Sequence, residues 1–244
     1  MQLQAFSSSF ERRIMEQIKI SAKVLGQMAM PDFCERCFFI KLHTKNLPWQ
    51  IFPGIFSSID AYTKKVVHHW IDRNNGFPEF LEYYGVTGYQ KAPHWSKFNI
   101  DAGHGITLSG VVDDIWTCKD GIVIPDYKTA KFTANADKLL PMYKAQLNGY
   151  AKIATEIGMG PVVAIPLIYM EPQTEEEAVV NGGKWVEEIF SMAFRPHVLP
   201  LELDIESLDP LLERARAIYD GGLPDMSSKC KDCMALDGIV DLLA

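Results

Sequence analysis

Residues 106–129 read Ile-Thr-Leu-Ser-Gly-Val-Val-Asp-Asp-Ile-Trp-Thr-Cys-Lys-Asp-Gly-Ile-Val-Ile-Pro-Asp-Tyr-Lys-Thr. Ile106 to Trp116 carries Ile106, Leu108, Val111, Val112 and Ile115, a β-like stretch rich in branched side chains. Lys119-Asp120-Gly121 supplies a hairpin turn, because glycine accepts the positive φ that a tight turn needs. Ile122 to Tyr127 then forms the return strand. The pattern puts Asp113 inside the first strand and Asp126 near the end of its partner. Lys128 follows Asp126 by two positions, so the period-two geometry of a strand places both on one face.

Working outward, Lys138 to Ile157 reads as a long helix with Leu139, Tyr143, Leu147, Tyr150 and Ile153 at helical spacing. Gly158 and Gly160 end it, since glycine tolerates the left-handed geometry beyond a helix. Val162 to Tyr169 is an apolar run suited to a buried strand, and Trp185 to Phe194 alternates like another. Leu208 to Tyr219 predicts a further helix. Towards the N-terminus, Ser9 to Gly26 predicts a helix capped by Ser9, with Ile14, Ile18 and Leu25 on its apolar face. Ser57 to Arg73 predicts a second, with Ile59, Tyr62, Val66 and Trp70 on one side. Residues 74–100, rich in Gly, Pro, Asn and aromatics, read as loops with a short strand. The order predicts an α/β domain with a mixed sheet flanked by helices.

The chain has 244 residues, 48% hydrophobic and 23% charged, the balance of a globular protein rather than a disordered one. The length suits one large domain, or one plus a small appendage. No uncharged run exceeds the 14 residues of Ile157 to Met170, short of a membrane-spanning helix. Met1 to Arg13 shows no apolar stretch preceded by positive charge, so a leaderless, cytoplasmic protein with no membrane partner is expected. The net charge of −7 argues against a nucleic-acid partner. Dividing the chain changes its weight. Residues 1–150 hold 17 basic and 14 acidic side chains, net +3, and residues 151–244 hold 7 and 17, net −10. An anionic ligand would meet the first part; the plain alternative is that the acidic part is a solvated surface.

Two carboxylates and an ammonium on paired strands are costly to hold without a partner. A divalent cation would satisfy Asp113 and Asp126, and hard oxygen donors favour Mg²⁺ or Mn²⁺. Lys128 could then orient a water or neutralise charge developing on a phosphate. Taken alone, the three residues could equally face solvent.

Gly110-Val111-Val112-Asp113 followed by Ile124-Pro125-Asp126-Tyr127-Lys128-Thr129 resembles the signature of the PD-(D/E)xK nuclease superfamily, most closely its RecB-like branch. That branch carries Gln-x-x-x-Tyr on the helix after the lysine strand, matched by Gln146-Leu147-Asn148-Gly149-Tyr150. Ile168-Tyr169-Met170-Glu171-Pro172 is similar to segments of the same branch. The resemblance covers residues 105–172; the flanks match in broad layout. It implies a restriction-endonuclease-like fold and a single domain over residues 1–244. The catalytic core would span about 100–200, between an N-terminal helical region 1–99 and a C-terminal helix 201–244. It also implies that Asp113 and Asp126 are metal ligands with the backbone carbonyl of Tyr127, and that Lys128 is the catalytic lysine. Gln146 and Tyr150 would contact the substrate backbone or orient the lysine. The branch commonly adds a histidine on an early helix. Here that helix offers Ser58, Asp60, His68 and His69, so the number of metal ions stays open. Asp60 could donate an oxygen, although a first-turn helix acid favoured by the dipole is the simpler reading.

Of five cysteines, four form Cys34-x-x-Cys37 and Cys230-x-x-Cys233, one pair towards each end. The two-residue gap lets both thiolates of a pair turn towards one ion. Shared coordination requires the ends to meet in space, and closing so long a loop stabilises by about 4–5 kcal/mol on the chain-entropy model. RecB-like nucleases of the AddB type and the CRISPR-adaptation nucleases hold a [4Fe–4S] cluster with four cysteines, usually one early and three late. The two-and-two division here leaves Zn²⁺ as a rival, while disulfides are rare in a reducing cytosol. Cys118 reads as a packed or unpaired thiol.

Arg12, Arg13, Lys19 and Lys23 could form a basic stripe on the first helix, joined by Lys41, Lys45, Lys64 and Lys65. Trp49, Trp95 and Phe98 are available for base stacking; solubilising lysines and core aromatics are the simpler reading. The resemblance implies an Mg²⁺- or Mn²⁺-dependent deoxyribonuclease acting on single-stranded DNA or DNA ends, in repair, recombination or defence. A helicase or another nuclease subunit is an expected partner. Two alternatives remain: a non-catalytic DNA-binding or assembly module with a structural four-cysteine metal site, and a zinc-dependent interaction protein that matches by accident.

Overall fold

Strands and helices alternate through the computed structural model, which describes residues 16–44, 53–74, 76–133, 137–182 and 185–243. In chain order they are β1 (Ile18–Ser21), α1 (Ala22–Gly26), α2 (Glu35–His43), α3 (Gly54–Asn74), β2 (Val86–Tyr89), β3 (Asn99–Asp101) and β4 (Ile106–Ser109). The centre holds β5 (Trp116–Cys118), β6 (Gly121–Val123), β7 (Asp126–Lys128), α4 (Leu140–Glu156), β8 (Val162–Ala164) and β9 (Leu167–Pro172). The rest comprises α5 (Glu176–Gly182), β10 (Trp185–Val186), β11 (Ile189–Phe190), β12 (Phe194–Leu199), α6 (Asp209–Asp220) and α7 (Lys231–Leu243). The result is a mixed α/β protein with both parallel and antiparallel pairing.

The helix expected over Ser9 to Gly26 is corrected in its described part, residues 16–26. Ile18 and Ile20 are buried and Lys19 between them is exposed, so this segment obeys a period of two and pairs parallel with β4. Among the described residues of this stretch only Ala22–Gly26 is helical. Its cap is Ser21, whose side chain accepts from the Val24 N–H at 3.2 Å. Ser9, Arg12 and Arg13 lie outside the described residues, as do Lys45 and Trp49.

The hairpin turns at Lys119-Asp120 with Cys118 opposite Gly121, close to expectation. The first strand does not run to Trp116, however. It stops at Ser109 and residues 110–115 cross to the next sheet, so Asp113 sits on a crossing segment and not inside a strand. The physical reason is Asp114, 2% exposed. Its carboxylate accepts from the Ile115 N–H (2.9 Å), the Trp116 indole (3.1 Å) and the Tyr127 hydroxyl (3.3 Å), replacing ladder bonds with side-chain ones.

The return strand breaks at Ile124-Pro125, yet its pairing continues. Ile122 aligns with Val162, the Ile124 N–H donates to Ala164 O, the Asp126 N–H donates to Pro166 O, and Asp126 aligns with Leu167. β12 adds antiparallel to β9, and β2 adds antiparallel to β5. Trp185 to Phe194 is likewise not one strand. β10 and β11 form a tight hairpin that turns through Glu187 at φ 56°, and β12 begins at Phe194.

Helices cover both faces. α4 packs on β4 and α1, where Gly149 is required: a Cβ there would lie 2.6 Å from the Cβ of Ala22. On the other side α3 packs Val67 and Ile71 against Leu81, Trp116, Tyr127 and Ile168. The expected apolar side of α3 is therefore corrected too, because Tyr62, Val66 and Trp70 are exposed and Thr63, Val67 and Ile71 face the core. Among the described residues no helix is long and apolar enough to cross a membrane.

Candidate active site and metal centre

The crossing segment, β7 and α4 converge on Asp126. This residue ends the run of apolar strand positions and is 2% exposed. Its Oδ1 accepts from Gln146 Nε2 at 3.1 Å, and the same amide donates to the Tyr150 hydroxyl at 2.9 Å. Gln146 and Tyr150 sit one helical turn apart on the face of α4 turned to the sheet, so a four-residue spacing reaches a single carboxylate. Asp126 Oδ2 pairs with the Lys128 ammonium but has no well-formed hydrogen bond. Lys128 Nζ also lies 4.5 Å from the centre of the Tyr143 ring.

Asp113 joins the group by a backbone contact: the N–H of Tyr127 donates to its Oδ2 at 2.9 Å. This bond sets the crossing segment beside β7. Gly110, three residues earlier, makes room for Tyr150, since a Cβ there would meet the ring at 2.5 Å. The five expected residues Asp113, Asp126, Lys128, Gln146 and Tyr150, with Tyr127, thus form one connected cluster.

Electrostatics follow from the burial. Asp126 is pushed up to about 6, first by burial and also by repulsion from Asp113, with the Lys128 ammonium opposing. Tyr150 is raised by burial and then by the Asp126 charge, so its hydroxyl stays protonated. Tyr143 is pushed up to about 12, again by burial first. Two carboxylates side by side form a hard-oxygen set of the kind a divalent cation takes. Gln146 Oε1 beside them is a buried oxygen with no hydrogen-bond donor among the described residues. The residues present therefore fit Mg²⁺ or Mn²⁺.

Lys64 is the residue that sequence reasoning placed elsewhere. Grouped there with the basic surface, it instead donates to Asp113 Oδ1 at 2.9 Å and to Asp60 Oδ2 at 2.8 Å. Burial alone would lower its pKa, but Asp113 and Asp60 together raise it. The i,i+4 spacing of Asp60 and Lys64 was the available signal. Asp60 is thereby tethered near the cleft through Lys64. His68 Nε2 lies 2.9 Å from Asp114, and its ring stacks on Tyr89 at 3.9 Å. It serves the buried Asp114 rather than the cleft, and His69 is exposed.

At the far side, α2 and α7 bring the cysteine pairs together. The Sγ atoms of Cys37 and Cys233 are 3.2 Å apart, those of Cys37 and Cys230 3.4 Å, and those of Cys34 and Cys233 3.6 Å. A disulfide would be about 2.05 Å, and all five cysteines are free. The four lie within 4.8 Å of one another and are, among the described residues, the one group of three or more His, Cys, Asp or Glu side chains that could hold a metal ion. Burial raises Cys233 to about 11. Cys34 is held near 7: burial opposes this, but hydrogen bonds from the backbone of Ser227 and Cys37 and from Cys233 and Cys230 outweigh it. Arg36 clamps the same junction, with Nη1 and Nη2 donating to the Asp237 carboxylate at 3.2 and 2.8 Å. Cys118, expected packed or unpaired, is half-buried and donates to Gly121 O.

The remaining expectations divide. Phe98 is fully buried and unavailable for stacking, whereas Trp95 is 57% exposed. Lys41 donates to Gln27 Oε1, and Lys19 belongs to a strand rather than to a helical stripe.

No family model matches the chain. Over 83 residues it is 28% identical to one subunit of the ATP-dependent helicase/nuclease of Lacticaseibacillus casei, and equally to its counterpart from Lacticaseibacillus paracasei. The matched stretch is 34% of this chain and 7% of those relatives. The crystal structure of SSO0001 superposes with a TM-score of 0.39 at 12% identity, covering 93% of this chain and 88% of that one.

Proposed function

We propose that this chain is a metal-dependent deoxyribonuclease of the RecB-like branch of the PD-(D/E)xK superfamily, a single restriction-endonuclease-like domain over residues 1–244 acting in the cytoplasm on single-stranded DNA or DNA ends. The observation that supports it is the cluster itself: residues far apart in sequence meet at one buried carboxylate in the arrangement that this chemistry needs. A DNA-processing role agrees with the similarity to a helicase/nuclease, and a helicase or second nuclease subunit is the expected partner.

Asp113 and Asp126 would hold Mg²⁺ or Mn²⁺, with the Tyr127 carbonyl beside them. When bound, the cation supplies Lewis acidity, lowering the pKa of a water and neutralising phosphate charge. The protein's own groups do the rest. Lys128 Nζ, fixed by Asp126 and the Tyr143 ring, can hold the attacking water in line by a hydrogen bond to its oxygen, leaving that water's proton to go to solvent, and can neutralise charge developing on the phosphate. Gln146 fixes the orientation of Asp126. Tyr150, held protonated, can donate to a non-bridging phosphate oxygen. Cleavage of labelled single- and double-stranded DNA with Mn²⁺ tests the reading. The expected result is activity in wild type and its loss in Lys128→Ala; equal activity in both overturns it.

At Cys34, Cys37, Cys230 and Cys233 the thiolate set fits Zn²⁺ or a [4Fe–4S] cluster, in either case a structural tie between α2 and α7. Elemental analysis of freshly purified protein separates the two, since a cluster brings iron and acid-labile sulfide.

The Lys64–Asp113 ion pair favours a second reading. A carboxylate already neutralised by an ammonium can stay folded with no cation, as a non-catalytic DNA-binding or assembly module would require. Calorimetric titration with Mn²⁺ decides, because only the nuclease has a site that disappears in Asp113→Ala and Asp126→Ala.

A further inference from the structure

Trp95 projects from the turn between β2 and β3, and that turn is well fastened. Lys97 N–H donates to His94 O at 2.8 Å, Asn99 Nδ2 donates to Ser96 O at 2.8 Å, and His94 Nδ1 and Ser96 Oγ are 2.8 Å apart. Phe98 anchors it from inside the core. The indole is thus exposed but positioned, which lowers the ordering cost of anything that stacks on it.

It does not stand alone. Trp95 lines a cavity of about 280 Å³ together with Lys19, Ser21, Lys23, Val111 and Tyr150. Lys19 Nζ is 5.5 Å from the indole centre. Both lysines are exposed, and neither is ion-paired among the described residues. Among the described residues no acidic side chain lines the cavity. Its inner wall is Tyr150, whose hydroxyl accepts from Gln146, which in turn donates to Asp126. The parts are a flat apolar ring, an exposed apolar neighbour in Val111, two unneutralised ammonium groups and a wall residue, Tyr150, hydrogen-bonded through Gln146 to Asp126. Stacking serves any base with a free face, and ammonium groups serve any phosphate. A paired base is enclosed in its own stack, so the ring suits only an unpaired strand. The cavity lies near the lower end of the roughly 300–1,000 Å³ of ligand clefts, room for one unit of a longer chain.

We infer that the cavity between Trp95, Lys19 and Lys23 holds one unpaired nucleotide of a single-stranded nucleic acid, its base on the indole and its phosphates at the two lysines, and leads the adjoining phosphodiester towards Asp126. The inference rests on the reading of the cleft as a phosphodiesterase site, and it gives that reading a strand path.

The test measures anisotropy of labelled oligo-dT, oligo-rU and a DNA duplex of equal length on the full chain. Divalent cations are omitted rather than chelated, so nothing is cleaved and the cysteine site is untouched. Trp95→Ala should weaken oligo-dT binding roughly 5- to 100-fold, while Trp95→Phe, which keeps a ring, recovers most of it and the duplex changes little. Lys19→Ala and Lys23→Ala should each reduce the slope of log affinity against log salt by roughly 0.7. Oligo-rU bound as well as oligo-dT, or better, supports the pocket and extends it to RNA. Oligo-dT affinity unaltered in Trp95→Ala, an equal loss on the duplex, or no strand binding by wild type overturns it. If Trp95 governs binding but Mn²⁺-dependent cleavage ignores Lys128, the nuclease reading fails and the nucleotide pocket stands. If cleavage requires Lys128 but Trp95→Ala alters neither affinity nor KM, the pocket fails and the nuclease stands.

Discussion

Asp113, Asp114 and Asp126 are held by donors from α3, the crossing segment, β7 and α4, while the four cysteine sulfurs are held chiefly by one another. Both sites gather residues distant in sequence, but they depend on a metal differently. The acidic cleft is preorganised: the framework fixes its carboxylates, and a bound cation would add chemistry. Among the described residues α2 and α7 share little at the cysteine junction beyond the thiols and the Arg36–Asp237 pair, which water screens. A metal there would act as a fold element.

The sharpest way to break this contrast is Asp126→Asn. Cleavage should fall by roughly 10²–10⁴-fold while the thermal midpoint holds or rises. A large drop in midpoint would mean that the cleft, too, is structural. Next comes the Cys37→Ser, Cys233→Ser double variant. It should lose up to about 4–5 kcal/mol of stability, or roughly 10–20 °C in midpoint, while each folded molecule cleaves as before at low temperature. An unchanged midpoint would remove the distinction from the other side.

A smaller effect is the pH dependence. Asp126 has a folded pKa of about 6, above the ordinary 3.8, so the folded state holds that proton more tightly. Its stabilisation is full below pH 4 and lost as pH rises through 6. Without added divalent cation, wild type should therefore lose about 3 kcal/mol relative to Asp126→Asn between about pH 3 and pH 7. Urea unfolding across that range measures it, and parallel curves would refute the burial argument. Smallest is Gly110→Ala, which crowds the Tyr150 ring at about 1–3 kcal/mol. It should slow cleavage about tenfold and leave the metal content at the cysteines unchanged, as elemental analysis would show.

Much of this was legible in the residues. The Lys119-Asp120 turn, α4 with its glycine end, and the common face of Asp126 and Lys128 all follow from local rules, and the paired cysteines announced a shared site. Where local rules compete, the reading failed. Ile14, Ile18 and Leu25 suggested a helical face, but Ile18 and Ile20 had a place in a sheet beside β4, and the sheet prevailed. The strand expected through Asp113 ends early because Asp114 is buried where it meets not only its neighbours Ile115 and Trp116 but also Tyr127 and His68, which no short sequence window relates to it. Lys64 reads as a surface lysine until α3 is laid across the crossing segment.

By itself, then, the sequence determined which side chains are the candidates for chemistry and which elements carry most of them, because turns, helix periods and the two-residue spacings of Asp126-x-Lys128 and the cysteine pairs act over a few residues. Tertiary structure alone decided that Asp113 reaches Asp126 through the Tyr127 N–H, that Lys64 joins them, that the cysteine pairs meet, and that Trp95 rather than Phe98 faces outward. Those outcomes depend on which buried polar groups find donors and which apolar faces meet, a balance struck across the whole chain.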